Sequence, residues 1–146
     1  MKNVQKFDRY SFLWSEVRLL VAAVALFVGG VPVVYFIYPT GATVGLFAAL
    51  LTIAWIASGI TAGYLAYRWF KGGKRIFGKS DKVDLVAFLV SVVSGINLGI
   101  VGLGGQNIGM TFVSGNKVLF FITGAAYVWS AWQLWKGWKG YGKKVF

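Results

Sequence analysis

From Leu19 to Tyr67 the chain reads LLVAAVALFVGGVPVVYFIYPTGATVGLFAALLTIAWIASGITAGYLAY, without one Asp, Glu, Lys or Arg. A helix at the surface of a soluble domain carries a polar face, and an uncharged run this long leaves none. Lipid is the solvent that accepts such a surface. About 20 apolar residues, rising ~1.5 Å each, cross a hydrocarbon core of ~30 Å, so the run holds two spans. Pro39, Thr40 and Gly41 supply the turn between them, because proline cannot continue a helical ladder and glycine accepts turn geometry. The spacing predicts a first span over 17–38, bent near Gly29, Gly30 and Pro32, and a second over 43–70.

Beyond that run lie two more uncharged stretches, Leu85 to Asn116 and Val118 to Trp135. They predict spans over 83–103, with Asp81 as N-cap, and over 117–138, joined by a polar loop in which water satisfies Gln106 and Asn107. The expected fold is all-α: an integral membrane four-helix bundle of two transmembrane hairpins, forming a single transmembrane domain over 1–146. Ser15 to Leu19 aligns with Asp81 to Leu85, and Lys71-Gly72 with Lys136-Gly137, which is compatible with a parallel repeat of the hairpin. Val4, Phe7, Tyr10, Leu13 and Trp14 recur at helical spacing opposite Lys2, Lys6 and Arg9, the pattern of a short amphipathic N-terminal helix lying on the inner leaflet. The first apolar run exceeds the ~7–15-residue core of a signal peptide, so it is expected to be a permanent span.

Charge sets the expected orientation. Of 15 Lys and Arg residues, only Lys117 falls outside the N-terminal segment, the 68–84 segment and the C-terminal segment. Four spans put those three segments on one face, which the positive-inside rule makes cytoplasmic together with both termini, or interior in an enveloped particle. Lys71, Lys74, Arg75 and Lys79 in the central loop, and Lys136, Lys139, Lys143 and Lys144 near the C-terminus, are the expected contacts for anionic lipid headgroups or an anionic partner. Trp129, Trp132, Trp135 and Trp138 wind round the last helix and fit a girdle at headgroup level.

Small residues recur every four positions on two spans: Ser91, Gly95 and Gly99, and Ala54, Ser58 and Ala62. Such faces let helix backbones approach in lipid, within one chain, between copies or with other membrane subunits. Asn97 is expected to make a helix–helix hydrogen bond.

Catalytic chemistry is hard to find. The chain has no Cys and no His, which removes thiolate and imidazole nucleophiles, bases and metal ligands together. Gly73-Lys74-Arg75-Ile76-Phe77-Gly78-Lys79-Ser80 satisfies the P-loop pattern, yet that chemistry needs a preceding buried strand and a metal-holding acid on another strand. No ionisable group falls in the interior of a predicted span, away from its ends, so proton-coupled transport lacks its usual buried carboxylate. No catalytic, cofactor or metal residue is expected. The composition points to a non-enzymatic scaffold subunit of a larger membrane-embedded assembly. One alternative is an oligomeric passive channel or small-solute carrier. Another is a structural protein of a lipid-containing filament or virion, although no motif supports nucleic-acid binding.

Overall fold

The computed structural model describes residues 2–37 and 41–146, apart from the side chains of Lys2, Ile37 and Ala42. The turn at Pro39 and Thr40 lies outside the described residues. Six helices follow in order: α1 Lys2–Phe27, α2 Val34–Ile37, α3 Gly41–Lys71, α4 Lys82–Gly104, α5 Ile108–Val113 and α6 Lys117–Gly140. Four of them, α1, α3, α4 and α6, are long and apolar enough to cross a membrane. Among the described residues there is no strand, only an isolated bridge between Ile76 and Lys79. Each half of the chain repeats the same order, a long helix, a short one and a long one.

The first helix corrects the boundary expected from sequence. Gly29 and Gly30 adopt φ +97° and +84°, a region that favours glycine, and with Pro32 they end the helix where a bend was expected. Counted back from that break, α1 starts at Lys2 and is about 39 Å long. The amphipathic segment is thus the first half of α1, continuous with the apolar half. Its Phe12 is buried in the core and its Asp8 in an ion pair, so this segment lies in the bundle and not flat on a surface.

The long helices contact in the cycle α1–α3–α4–α6, with α1 also touching α4 across the middle. The closest approach is α3 on α4. A Cβ added to Gly99 would stand 2.7 Å from Gly59 Cα, and one on Gly95 would stand 2.5 Å from Ala62 Cβ. Small-residue packing of this kind brings backbones together where no water is available to drive association. Outward positions such as Leu46, Ile53, Ile60, Val93 and Phe121 remain exposed, an apolar exterior suited to lipid.

The end of the bundle carrying the α3–α4 loop and the C-terminal segment is its best-packed part, here termed the basic end. Phe12, Leu65, Ile76, Phe77, Phe88, Leu134, Trp138 and Val145 form one buried cluster. The loop expected to be polar therefore sends Ile76 and Phe77 inward. Phe77 sits at φ +52°, unusual for a residue with a side chain. It is held there by its buried ring and by its amide, which donates to Val145 O at 2.8 Å. Trp138 belongs to this core, 5.5 Å from the Phe12 ring, and not to a girdle; Trp129, Trp132 and Trp135 stay exposed.

Candidate functional site

Two buried carboxylates brace the basic end. Asp8, 3 % exposed, accepts from Arg68 Nε and Nη2, each at 2.8 Å, and from the Tyr64 hydroxyl at 2.7 Å. Asp84 is fully buried between Lys79 Nζ at 2.9 Å and Gln133 Nε2 at 2.7 Å. Removing one partner from such a pair leaves an uncompensated buried charge, so both groups read as structural braces. Lys79, held by its bond to Asp84, keeps its proton more tightly than an ordinary lysine. All eight basic residues expected to meet anionic surfaces are exposed, but the charge of Lys79 is offset by Asp84. Lys71, Lys74, Lys136 and Lys139 place their ammonium groups 5.1–6.0 Å from the rings of Tyr67, Phe70, Trp132 and Trp135. Asp81 caps α4, accepting from the amides of Val83 and Asp84, and these bonds hold its carboxyl below the usual range.

The P-loop pattern folds as a tight turn. Its amides at Lys74, Ile76, Phe77 and Lys79 donate to the carbonyls of Trp69, Lys79, Val145 and Ile76. A phosphate cradle needs those amides free.

The other half of the bundle holds a half-open chamber of about 330 Å³, bordered by all four long helices and by α2 and α5. Arg18 lines it together with Trp14 and Val17 of the same helix. The expectation that no ionisable group falls inside a span is overturned here: Arg18 is 6 % exposed and Glu16 5 % exposed. The continuous α1 carries both residues into the bundle. Arg18 Nη1 donates to Ser94 Oγ at 2.9 Å; Nη2 donates to Ser91 O at 2.7 Å and to Ser91 Oγ at 3.3 Å. Ser91 and Ser94 stand about 14–18 Å along the ~35 Å of α4, so the guanidinium is near the middle of that helix. Gly95 makes room for it, since a Cβ there would come 3.0 Å from Arg18 Cζ.

Among the described residues no carboxylate lies within ion-pair distance of Arg18. The ion pairs among the described residues are Arg68–Asp8, Lys79–Asp81 and Lys79–Asp84. Glu16 precedes Arg18 by two positions, about 200° round the helix, and does not line the chamber. Arg18 Nε and Glu16 Oε1 have no hydrogen-bond partner. An arginine at mid-helix in lipid costs about 2.5–3.5 kcal/mol on insertion scales, and such residues mark functional positions.

Around Arg18 the chamber is set by hydrogen bonds. Trp14 Nε1 donates to Ser58 Oγ at 3.1 Å, tying α1 to α3 beside the arginine. Tyr127 and Thr123 line the wall from α6. Toward α5, Asn97 Nδ2 donates to Asn107 Oδ1 at 2.9 Å and the Gly109 amide donates to Asn97 Oδ1 at 3.0 Å. Asn97 thus fastens α4 to the α5 segment, and Asn107 is held by protein as well as capping α5.

The six small residues expected to pack divide between two roles. Gly95, Gly99 and Ala62 meet at the α3–α4 contact, where the missed partner is Gly59. Ser91 turns its polar atoms to Arg18, whereas Ala54 and Ser58 line the chamber. Sequence reasoning missed Arg18 itself. Its signal is Ser91, Ser94 and Asn97 at three-residue spacing, a polar stripe on an otherwise apolar helix. No family model, curated protein or solved structure matches the chain.

Proposed function

We propose that this chain is a non-enzymatic integral membrane protein that binds a small solute in the chamber between its helices. The supporting observation is a chamber of about 330 Å³ lined by a buried arginine near the middle of α4, with no ion pair among the described residues. That volume falls within the ~300–1,000 Å³ range of small-molecule sites, which combine apolar walls with a few placed polar groups. The reading includes an orientation: the basic end faces the cytoplasm, which the asymmetry of Lys and Arg supports, and the chamber opens toward the other side. The exposed lysines at the basic end, several beside aromatic rings, then meet anionic headgroups. A purely structural role in an assembly, filament or virion draws on the small-residue helix faces and on the absence of buried chemistry, and Arg18 speaks against the second of these grounds.

Binding is tested with the protein in nanodiscs of zwitterionic lipid, titrated with octyl-chain solutes of negative, zero and positive head charge. At least one should bind saturably to the native protein. Binding should be lost in Ala25→Phe, which fills the chamber wall. Absence of saturable binding across the panel, or equal binding to Ala25→Phe, would refute the chamber reading.

A further inference from the structure

We propose that the ligand of the chamber is an amphipathic organic anion, with its carboxylate or phosphate head on Arg18 and its apolar body along the chamber wall. The inference rests on the chamber reading and adds the ligand's chemistry. Arg18 is cationic, is 6 % exposed and makes its hydrogen bonds only to neutral serine acceptors. Its Nε is buried without a hydrogen-bond partner, and the residue lines the cavity. A guanidinium presents its donors in a planar fork that matches two oxygens of a carboxylate or phosphate. A cationic or neutral head would leave the charge uncompensated in a medium of low dielectric, where burial is costly.

The walls select what the head is attached to. Val21, Ala25, Leu51, Trp55, Met110 and Val113 offer aliphatic and aromatic surface between Arg18 and the α2–α5 border. A bare inorganic anion would fill a small part of 330 Å³ and leave that surface wet. A ligand with an apolar body covers it, and burial of apolar area supplies the non-directional part of the affinity. Ser94 is already committed to Arg18 and Asn97 to Asn107 and Gly109, so neither needs the ligand to be satisfied. Arg18 is the charged group among the described lining residues.

The experiment compares octanoate, octyl phosphate, octanol, octyltrimethylammonium and inorganic phosphate on the protein in zwitterionic nanodiscs. It uses the native chain, Arg18→Gln and Ala25→Phe. A charge-assisted contact to a buried guanidinium discriminates by about 10- to 100-fold. Octanoate or octyl phosphate should therefore bind at least tenfold more tightly than octanol, and Arg18→Gln should remove that difference. Ala25→Phe, which keeps the arginine, should lose binding of the anions even if Arg18→Gln fails to fold. Octanol binding as tightly as octanoate would overturn the anion inference while leaving the chamber reading intact. Inorganic phosphate binding as tightly as octyl phosphate would overturn the requirement for an apolar body. Failure of every solute would overturn both readings. Adding phosphatidic acid to the nanodiscs separates the two sources: displacement of octanoate identifies a membrane lipid, and undisturbed octanoate binding identifies a soluble amphiphile.

Discussion

Replacing Gly99 by alanine should destabilise the protein, whereas the same change at Gly63 of α3 should not. A Cβ on Gly99 would stand 2.7 Å from Gly59 Cα and 3.4 Å from Gly59 N. Carbon atoms rest at ~3.5–4.0 Å, so α3 and α4 must part by about 1 Å. Overpacking costs about 1–3 kcal/mol, and a backbone atom cannot swing aside as a side chain can, which sets the cost at the upper end. Alanine offsets this with a gain in helix propensity of about 0.8–1.0 kcal/mol. The net loss is therefore about 2 kcal/mol. At Gly63 nothing lies within 4 Å, so only the propensity gain remains and stability should rise by up to ~1 kcal/mol. Reversible unfolding in mixed micelles with rising SDS measures both variants against the native chain. Shifts of the same sign and size at the two positions would refute the close α3–α4 approach.

Arg68→Ala should cost about 2–3 kcal/mol in the same assay, because it strands Asp8; the loss falls below the full ~3–5 kcal/mol of a buried pair since the Arg68 side chain is 29 % exposed. Arg68→Ala combined with Asp8→Asn should recover part of it. The Asp81 carboxyl is held low by two amides, so its contribution is present above the ordinary carboxylate pKa and is lost as pH falls through its lowered value. Asp81→Asn should flatten that acid-side loss in a pH series of unfolding midpoints while keeping the cap. ATP should give no stabilisation that Lys79→Ala abolishes and Lys74→Ala preserves, and equilibrium binding to the three proteins checks this. Association of the basic end with anionic vesicles should weaken cumulatively as Lys136, Lys139, Lys143 and Lys144 are neutralised and should fall with salt; salt-independent binding would point to a shaped site.

The four long helices were legible because an uncharged run cannot be hidden from water by one face of a helix, whereas the short α2 and α5 were not. The start of the first one was not. Charges ordinarily mark span ends, so Arg18, directly before Leu19, read as a boundary. The register is set instead by Gly29, Gly30 and Pro32, which stop α1 and shift its whole length toward the N-terminus. Once Arg18 is inside, its partners come from a helix more than seventy residues away in sequence. A periodicity argument sees one helix at a time. It assigned Ser91 to packing by size, although the serine carbonyl and hydroxyl serve the arginine. Ile76 and Phe77 were hidden for a similar reason: a basic, glycine-rich loop looks solvated until the C-terminal segment returns to cover it.

The chain has no cysteine, so single-cysteine variants report cleanly on the central claim, a chamber reached from the face opposite the basic end. Lys74→Cys samples the basic end, Gln106→Cys the opposite end, and Ala54→Cys the chamber wall. In sealed right-side-out vesicles, a small membrane-impermeant thiol reagent should modify Gln106→Cys and Ala54→Cys from outside, and Lys74→Cys only after the vesicles are opened. Octanoate should slow the reaction at Ala54→Cys and leave Gln106→Cys unchanged. Modification of Ala54→Cys only from the Lys74 side, or of Lys74→Cys and Gln106→Cys from the same side, would contradict the account.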